Sequence, residues 1–186
     1  VVFGVSSCLE KLPGDAILEQ NGMKTFSDAE QTLTGIYSAY MNGSLYSGYL
    51  TLLPDIQADL VHAVQGNTNT YGTHWLWDIR PTNAEVEAVY GALYRVIGRC
   101  NFYLDQVDAL KETLTDDEQI AYLDFYTGEV YCARALAYSE LIKCFCKAYD
   151  PETAHKEHGV ALDSTYFGKK PVSRSSLKDS YAFVIR

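Results

Sequence analysis

Nowhere in the 186 residues is there an uninterrupted apolar run of the roughly 18 residues that a membrane-spanning helix requires. Cations are scarce too: Lys and Arg number 15 against 24 Asp and Glu, a formal balance of −9. Affinity for phosphate backbones and for anionic lipid surfaces comes mainly from clustered Lys and Arg, so neither nucleic acid nor a polybasic membrane contact is expected. Five cysteines in a chain of this length do not make a disulfide scaffold. Tryptophan occurs only twice, so the place where both occur is a landmark. What is abundant is tyrosine: 15 Tyr bring the aromatic share to 13%, and a phenol suits half-wet helix faces and polar-ligand surfaces equally. With 47% hydrophobic and 21% charged residues, the composition is that of one globular domain rather than a disordered chain.

The first eight residues read Val1-Val2-Phe3-Gly4-Val5-Ser6-Ser7-Cys8, an apolar stretch, then small residues, then a thiol. A bacterial lipoprotein signal closes this way, because its processing peptidase needs small side chains beside the cysteine to be lipidated. Residues 1–8 are therefore expected to be residual signal ending in the lipid-attachment site Cys8. Residues 9–26, with Pro13, Gly14 and Gly22 and no sustained period, read as an extended arm. Residues 27–186 read as a helical domain. The chain begins on Val1 rather than Met, and the helical periodicity of residues 179–186 has no stop signal, so both ends are expected to be cut.

Within the domain the apolar spacing is helical throughout. Ser27-Asp28-Ala29-Glu30 reads as a capping box opening a helix over 27–41, with Leu33, Ile36, Tyr37 and Tyr40 on one face and Asn42-Gly43 at its end. A second helical stretch spans about residues 45–64, interrupted near Pro54, which has no N–H for the preceding turn. Two long helices follow, over about 83–110 and 115–148. The first is capped by Thr82 or Asn83, and the second opens on Thr115-Asp116-Asp117-Glu118. The short link between them makes them an antiparallel hairpin, and Ala133 and Ala137 let a neighbouring helix approach closely. Asp150-Pro151 stops the second helix, residues 151–173 read as loop, and a further helix begins near Ser175 or Ser176. No strand pattern of any length is present. The fold class is all-α.

Residues 65–82 stand apart as a polar loop of amides and hydroxyls that holds both tryptophans. Loops of this length without structure of their own are uncommon unless they carry function.

Other chemistry-bearing residues form no convincing catalytic pattern. Asp55 and Asp59 share one helix face, whereas a glycosidase pair straddles a cleft, so Asp59 reads as a cap or hydrogen-bond anchor. His155 and His158 beside Glu152 and Glu157 lack zinc-helix spacing, and no metal or cofactor is expected. His62 and His74 have no nucleophile placed beside them, and neither a phosphate loop nor a nucleophile elbow is present. Cys144 and Cys146 diverge on a helix, and the hairpin register sets Cys100 opposite Tyr126 rather than Cys132. These four are expected to be buried thiols.

In order along the chain, the pieces resemble the opening section of the SusD/RagB family of outer-membrane nutrient-binding lipoproteins. The residues carrying the resemblance are Cys8 with its Pro13 arm, the run Ala29 to Tyr40, Pro54 to Leu60, and Trp75-Leu76-Trp77. They continue with Tyr90 to Phe102 and its arginine-then-asparagine pattern, Glu129 with Arg134-Ala135-Leu136-Ala137-Tyr138, and Pro171 to Leu177 with Tyr181. The resemblance implies helical hairpins of the tetratricopeptide-repeat type with long irregular loops. It further implies glycan capture without catalysis at the outer membrane, lipid-anchored and facing outward, with delivery to a SusC-like TonB-dependent transporter.

Sugars offer patches of axial C–H and a fringe of hydroxyls, so a binder needs flat aromatic faces together with amides or carboxylates. In residues 65–82, Trp75, Trp77 and Tyr71 supply faces and Asn67, Asn69, His74 and Asp78 supply polar groups. The competing reading of each indole is a plug beneath the loop. The same scaffold would suit peptides, and a glycan-processing enzyme is the weaker alternative because no convergent acid pair is present.

Overall fold

In a computed structural model, residues 22–166 and 172–185 are described. Cys8, residues 9–21 of the expected arm, and Pro171 lie outside them. Six helices and two short strands follow in the order α1 (Phe26–Tyr40), α2 (Tyr49–Gln57), α3 (Gly72–Trp75), α4 (Ala84–Lys111), α5 (Asp117–Phe145), β1 (His158–Ala161), β2 (Arg174–Ser176) and α6 (Leu177–Ile185). The fold is all-α.

α1 starts one residue before its expected position. Its capping box is Thr25 with Asp28: the Asp28 N–H donates to Thr25 Oγ1 at 3.2 Å and the Thr25 N–H to Asp28 Oδ2 at 2.8 Å. Two overlapping boxes compete here, and the earlier one brings Phe26 into the helix, where its ring stacks on Tyr126. Ser27, freed from capping, accepts a bond from Gln31. Ala29, Leu33, Ile36 and Tyr40 form the buried stripe, while Tyr37 turns outward to donate to Glu129 Oε2 at 2.6 Å.

Pro54 does not interrupt α2 but lies inside it on an exposed position, and the helix ends three residues later. The stop is a Schellman motif: Leu60 N–H donates to Asp55 O at 3.0 Å, Asp59 N–H to Ile56 O at 3.3 Å, and Asp59 is left-handed at φ 57°. Asp59 is thus a cap residue through its backbone, its carboxylate in solvent.

α4 and α5 pair antiparallel, and α1 lies against both. The Tyr103 hydroxyl donates to Leu123 O at 3.4 Å, the register that a turn folded between residues 110 and 116 dictates. The core runs along the three helices through Leu33, Ile36, Leu93, Ile97, Val130 and Leu141. Asp116 rather than Thr115 caps α5, accepting from Glu118 and Gln119. α5 ends at Phe145, three residues before the expected stop.

Two expectations are corrected. Of the four thiols in the described residues only Cys100 is buried; Cys132 and Cys144 are exposed and Cys146 is intermediate. The buried stripe of α5 runs through Val130, Ala137, Tyr138 and Leu141 and passes both exposed cysteines by. Residues 151–173 are also not all loop, because β1 pairs antiparallel with β2, His158 opposite Ser176 and Ala161 opposite Arg174. Strands of four and three residues are too short to print a period of two. Side chains hold them together: Ser180 of α6 accepts the Val160 N–H at 3.0 Å, and Arg174 of β2 donates across the pair to Gly159 O at 2.6 Å. Gly159 is required by this close approach, since a Cβ there would lie 2.0 Å from Ser180 Oγ.

Candidate functional site

The Trp-bearing loop is a folded object. Its first half closes on itself: Asn67 Nδ2 donates to Val64 O at 2.9 Å, Asn67 Oδ1 accepts the Asn69 N–H at 2.8 Å, and the Thr68 and Thr70 hydroxyls meet at 2.8 Å. Asn69 and Tyr71 both adopt the left-handed conformation, at φ 59° and 58°. Next to them the Asn69 side chain lies against Gly72, where a Cβ would come within 2.1 Å of its Oδ1 and displace the amide. Tyr71 then meets Tyr49 of α2 edge to face, centroids 6.0 Å apart.

α3 is one turn and ends in a second Schellman motif, Asp78 N–H to Thr73 O at 2.8 Å and Trp77 N–H to His74 O at 3.2 Å. The left-handed position in that motif, where glycine is preferred, holds Trp77 at φ 57°. Downstream, Asp78 grips the Arg80 guanidinium with both oxygens at 3.0 Å. Asn83 staples the loop shut, accepting the Arg80 N–H at 2.6 Å and donating to Thr73 Oγ1 at 3.0 Å.

This turn places the candidate residues on two sides. Trp75, Leu76 and Trp77 project outward, 45%, 63% and 64% exposed, a run of large apolar side chains that packing inside the domain does not explain. His74 points inward and is 1% exposed. Its Nδ1 lies 3.5 Å from Thr73 Oγ1, and Nε2 has no hydrogen-bond partner among the described residues. Asn67, Asn69 and Asp78 sit on the same loop as the indoles, each already engaged in a local bond or contact.

Beneath the loop lies a cleft of about 1090 Å³ bounded by α2, α4 and the end of α5. His74, Ile79 and Arg80 line it from the loop side; neither tryptophan does. On the facing wall Glu140, only 8% exposed, accepts from the Tyr46 hydroxyl at 2.9 Å and from Lys143 Nζ at 2.6 Å. Burial, reinforced by the Glu140 carboxylate, pushes the Tyr46 hydroxyl up to about 12. Sequence reasoning missed this wall. Its available signal is an acid, Glu140, set between the apolar residues Tyr138 and Leu141 of a helix.

The family-motif residues, by contrast, build the frame. Arg99 donates to Gly35 O and ties α4 to α1. Arg134 donates to Asn101, which donates in turn to Asp163 O. Arg174 holds the end of α5 through Phe145 O at 3.1 Å.

Among the described residues, no group of three or more His, Cys, Asp or Glu is arranged to hold a metal, and no helix is long and apolar enough to cross a membrane. Glu157 of the His155–His158 stretch is paired with Lys147.

Residues 16–186 match the SusD-like family described as "Starch-binding associating with outer membrane". A curated relative, SusD-like protein P25 of Formosa agariphila, is 28% identical over 152 residues, covering 76% of this chain and 28% of that protein. Among solved structures, a SusD superfamily protein of Bacteroides vulgatus superposes with a TM-score of 0.72 at 19% identity, over 88% of this chain and 36% of the other. A second protein of that organism, described as a putative sugar binding protein, gives 0.71 at 22% identity over the same shares. The chain therefore spans about a third of the length of the relatives it matches. With nearly its whole length matched and its helical frame shared, this chain belongs to the SusD-like family.

Proposed function

We propose that the protein captures oligosaccharide on the outward face of the Trp75–Trp77 turn and releases it unaltered. The observation that carries this reading is the pair of exposed indoles held on a turn pinned at both ends. A flat aromatic face in fixed orientation matches the C–H faces of a sugar ring, and the loop's amides and the Asp78–Arg80 pair supply the surrounding polar fringe. The loop is hydrogen-bonded before any ligand arrives, so little ordering cost opposes binding. The family description, starch-binding and associated with the outer membrane, agrees with this chemistry. The whole protein, in this reading, is tethered outward at the outer membrane through lipid on Cys8 and passes its ligand to a SusC-like TonB-dependent transporter.

Both tryptophans of the 186 residues lie in the proposed site, and the difference in emission between the full-length protein and its Trp75→Phe/Trp77→Phe variant isolates their signal. Titration of the full-length protein with a panel of oligosaccharides should give a saturable shift or quench for at least one glycan class, with the saccharide recovered intact by chromatography. A panel that leaves the emission unchanged, or recovery of shortened products, contradicts the proposal.

A further inference from the structure

We propose that Asp78 sets the charge class of the saccharide: by holding the Arg80 guanidinium it makes the Trp75–Trp77 turn a receptor for uncharged glycans and turns away those that carry carboxylates or sulfates. The inference rests on the glycan reading and adds to it the residue that selects among glycans. From residue 25 to residue 94 the sequence holds seven Asp and Glu and a single Lys or Arg, and that one cation is Arg80. An anionic sugar on this loop would have to be recognised through it, because a guanidinium fits a carboxylate or a sulfate with two parallel N–H bonds. That geometry is already taken. Nε and Nη2 of Arg80 each donate to one oxygen of Asp78 at 3.0 Å, and Asp78 directly follows Trp77. The other cations lining the cleft beneath, Lys143 and Arg174, are engaged as well, with Glu140 and with the carbonyls of Gly159 and Phe145.

The pair adds little to folding. Its side chains are 69% and 54% exposed, and an ion pair in solvent contributes at most marginally. Its effect falls on the ligand. The Arg80 N–H is pinned to Asn83 Oδ1 at 2.6 Å, which keeps the two partners facing each other across two residues. A ligand anion could claim the guanidinium only by breaking one bidentate pair to make an equivalent one. It would also leave the Asp78 carboxylate unpaired beside the incoming charge, and like charges at that range repel. A sugar hydroxyl meets neither cost. Two of the guanidinium N–H groups are spent on Asp78, and the others remain to donate to neutral oxygens.

A matched pair of ligands provides the test: a neutral oligosaccharide that binds the full-length protein, and the same oligosaccharide with its primary alcohols oxidised to carboxylates. Calorimetry at neutral pH and two salt concentrations measures both. The parent should prefer the neutral form by about tenfold or more, and Asp78→Asn should shrink that preference by about tenfold. The affinity that the oxidised form gains in Asp78→Asn should fall again as salt is raised. Asp78→Asn/Arg80→Gln should restore the preference, which a general loss of negative charge would not do. Asp59→Asn removes the same charge from a residue that caps α2 through its backbone, and it should keep the parent ratio. If Asp78→Asn binds neither form, Asp78→Ser replaces it. An anionic saccharide bound by the parent as tightly as a neutral one, or a preference unchanged on replacing Asp78, overturns this proposal and leaves the glycan reading standing. A parent that binds no oligosaccharide of either class overturns both.

Discussion

Arg134 of α5 donates to the side-chain oxygen of Asn101 on α4 at 2.9 Å, joining the two long helices by a polar bond next to their apolar seam. Asn101 is wholly buried and spends its amide nitrogen on Asp163 O at 3.0 Å. The Tyr138 hydroxyl holds the same residue by both its backbone groups, accepting from Asp163 N and donating to Asp163 O at 2.7 Å. The Arg134 guanidinium also lies over the rings of Tyr131 and Phe183, at 5.2 and 5.5 Å. One buried amide thus connects α4, α5 and the segment that leads to α6. The arginine-then-asparagine pattern and the Arg-Ala run mark the frame of the family rather than its ligand face.

Asn101 should therefore be costly to replace. Asn101→Leu keeps the volume but leaves the Arg134 guanidinium without its acceptor and the Asp163 carbonyl without this donor, a loss of about 2–4 kcal/mol. Urea unfolding followed by far-ultraviolet circular dichroism measures it, and a midpoint unchanged from the parent would contradict the frame role.

Trp77 should show the opposite balance. An L-residue held left-handed costs about 1–2 kcal/mol, and an exposed indole recovers little of that by packing. Trp77→Gly removes the strain at some cost in unfolded-state entropy, for a net gain of about 0.5–1 kcal/mol. Differential scanning calorimetry should show a higher Tm together with weaker saccharide binding, whereas Trp77→Ala, still left-handed with a Cβ, should weaken binding without the gain in Tm.

Much of this frame is legible in the sequence. The long apolar stripes of α4 and α5 announce an antiparallel hairpin, and with the register set by the short link the Tyr103–Leu123 bond follows. What escapes is decided by tertiary contacts. Thr25 outcompetes Ser27 as cap because Phe26 has a ring to stack on. The strand pair is held by Ser180 of α6 and by the side chain of Arg174 in β2, residues distant from β1 in sequence. The Trp75–Trp77 loop is visible as a landmark, yet its inward histidine and outward indoles are set by one short helical turn bounded by left-handed residues at Tyr71 and Trp77, which no hydrophobic pattern encodes. The Glu140 wall is hidden for the same reason: an acid set between Tyr138 and Leu141 gains meaning only when Tyr46 and Lys143 arrive beside it.

Asp28 gives a pH signature. The N–H of Lys24, then the hydroxyl and N–H of Thr25, hold its carboxyl below the ordinary carboxylate range. A carboxyl whose folded pKa is depressed adds stability that is present above its unfolded value and lost as pH falls through the folded one. Asp28→Ala should cost about 0.5–1 kcal/mol at neutral pH, the scale of a lost helix cap. That difference should shrink toward zero as the buffer is taken below the carboxylate range. Paired thermal melts at neutral and acid pH check it, and a difference constant with pH would contradict the ionised cap.

The central claim meets its most direct test in isothermal titration calorimetry of the full-length protein against the Trp75→Ala/Trp77→Ala double variant, using a saccharide that binds the parent. Affinity should fall at least tenfold, about 1.4 kcal/mol, with the melting curve preserved. Equal affinity in a folded double variant would place the ligand elsewhere and contradict the account.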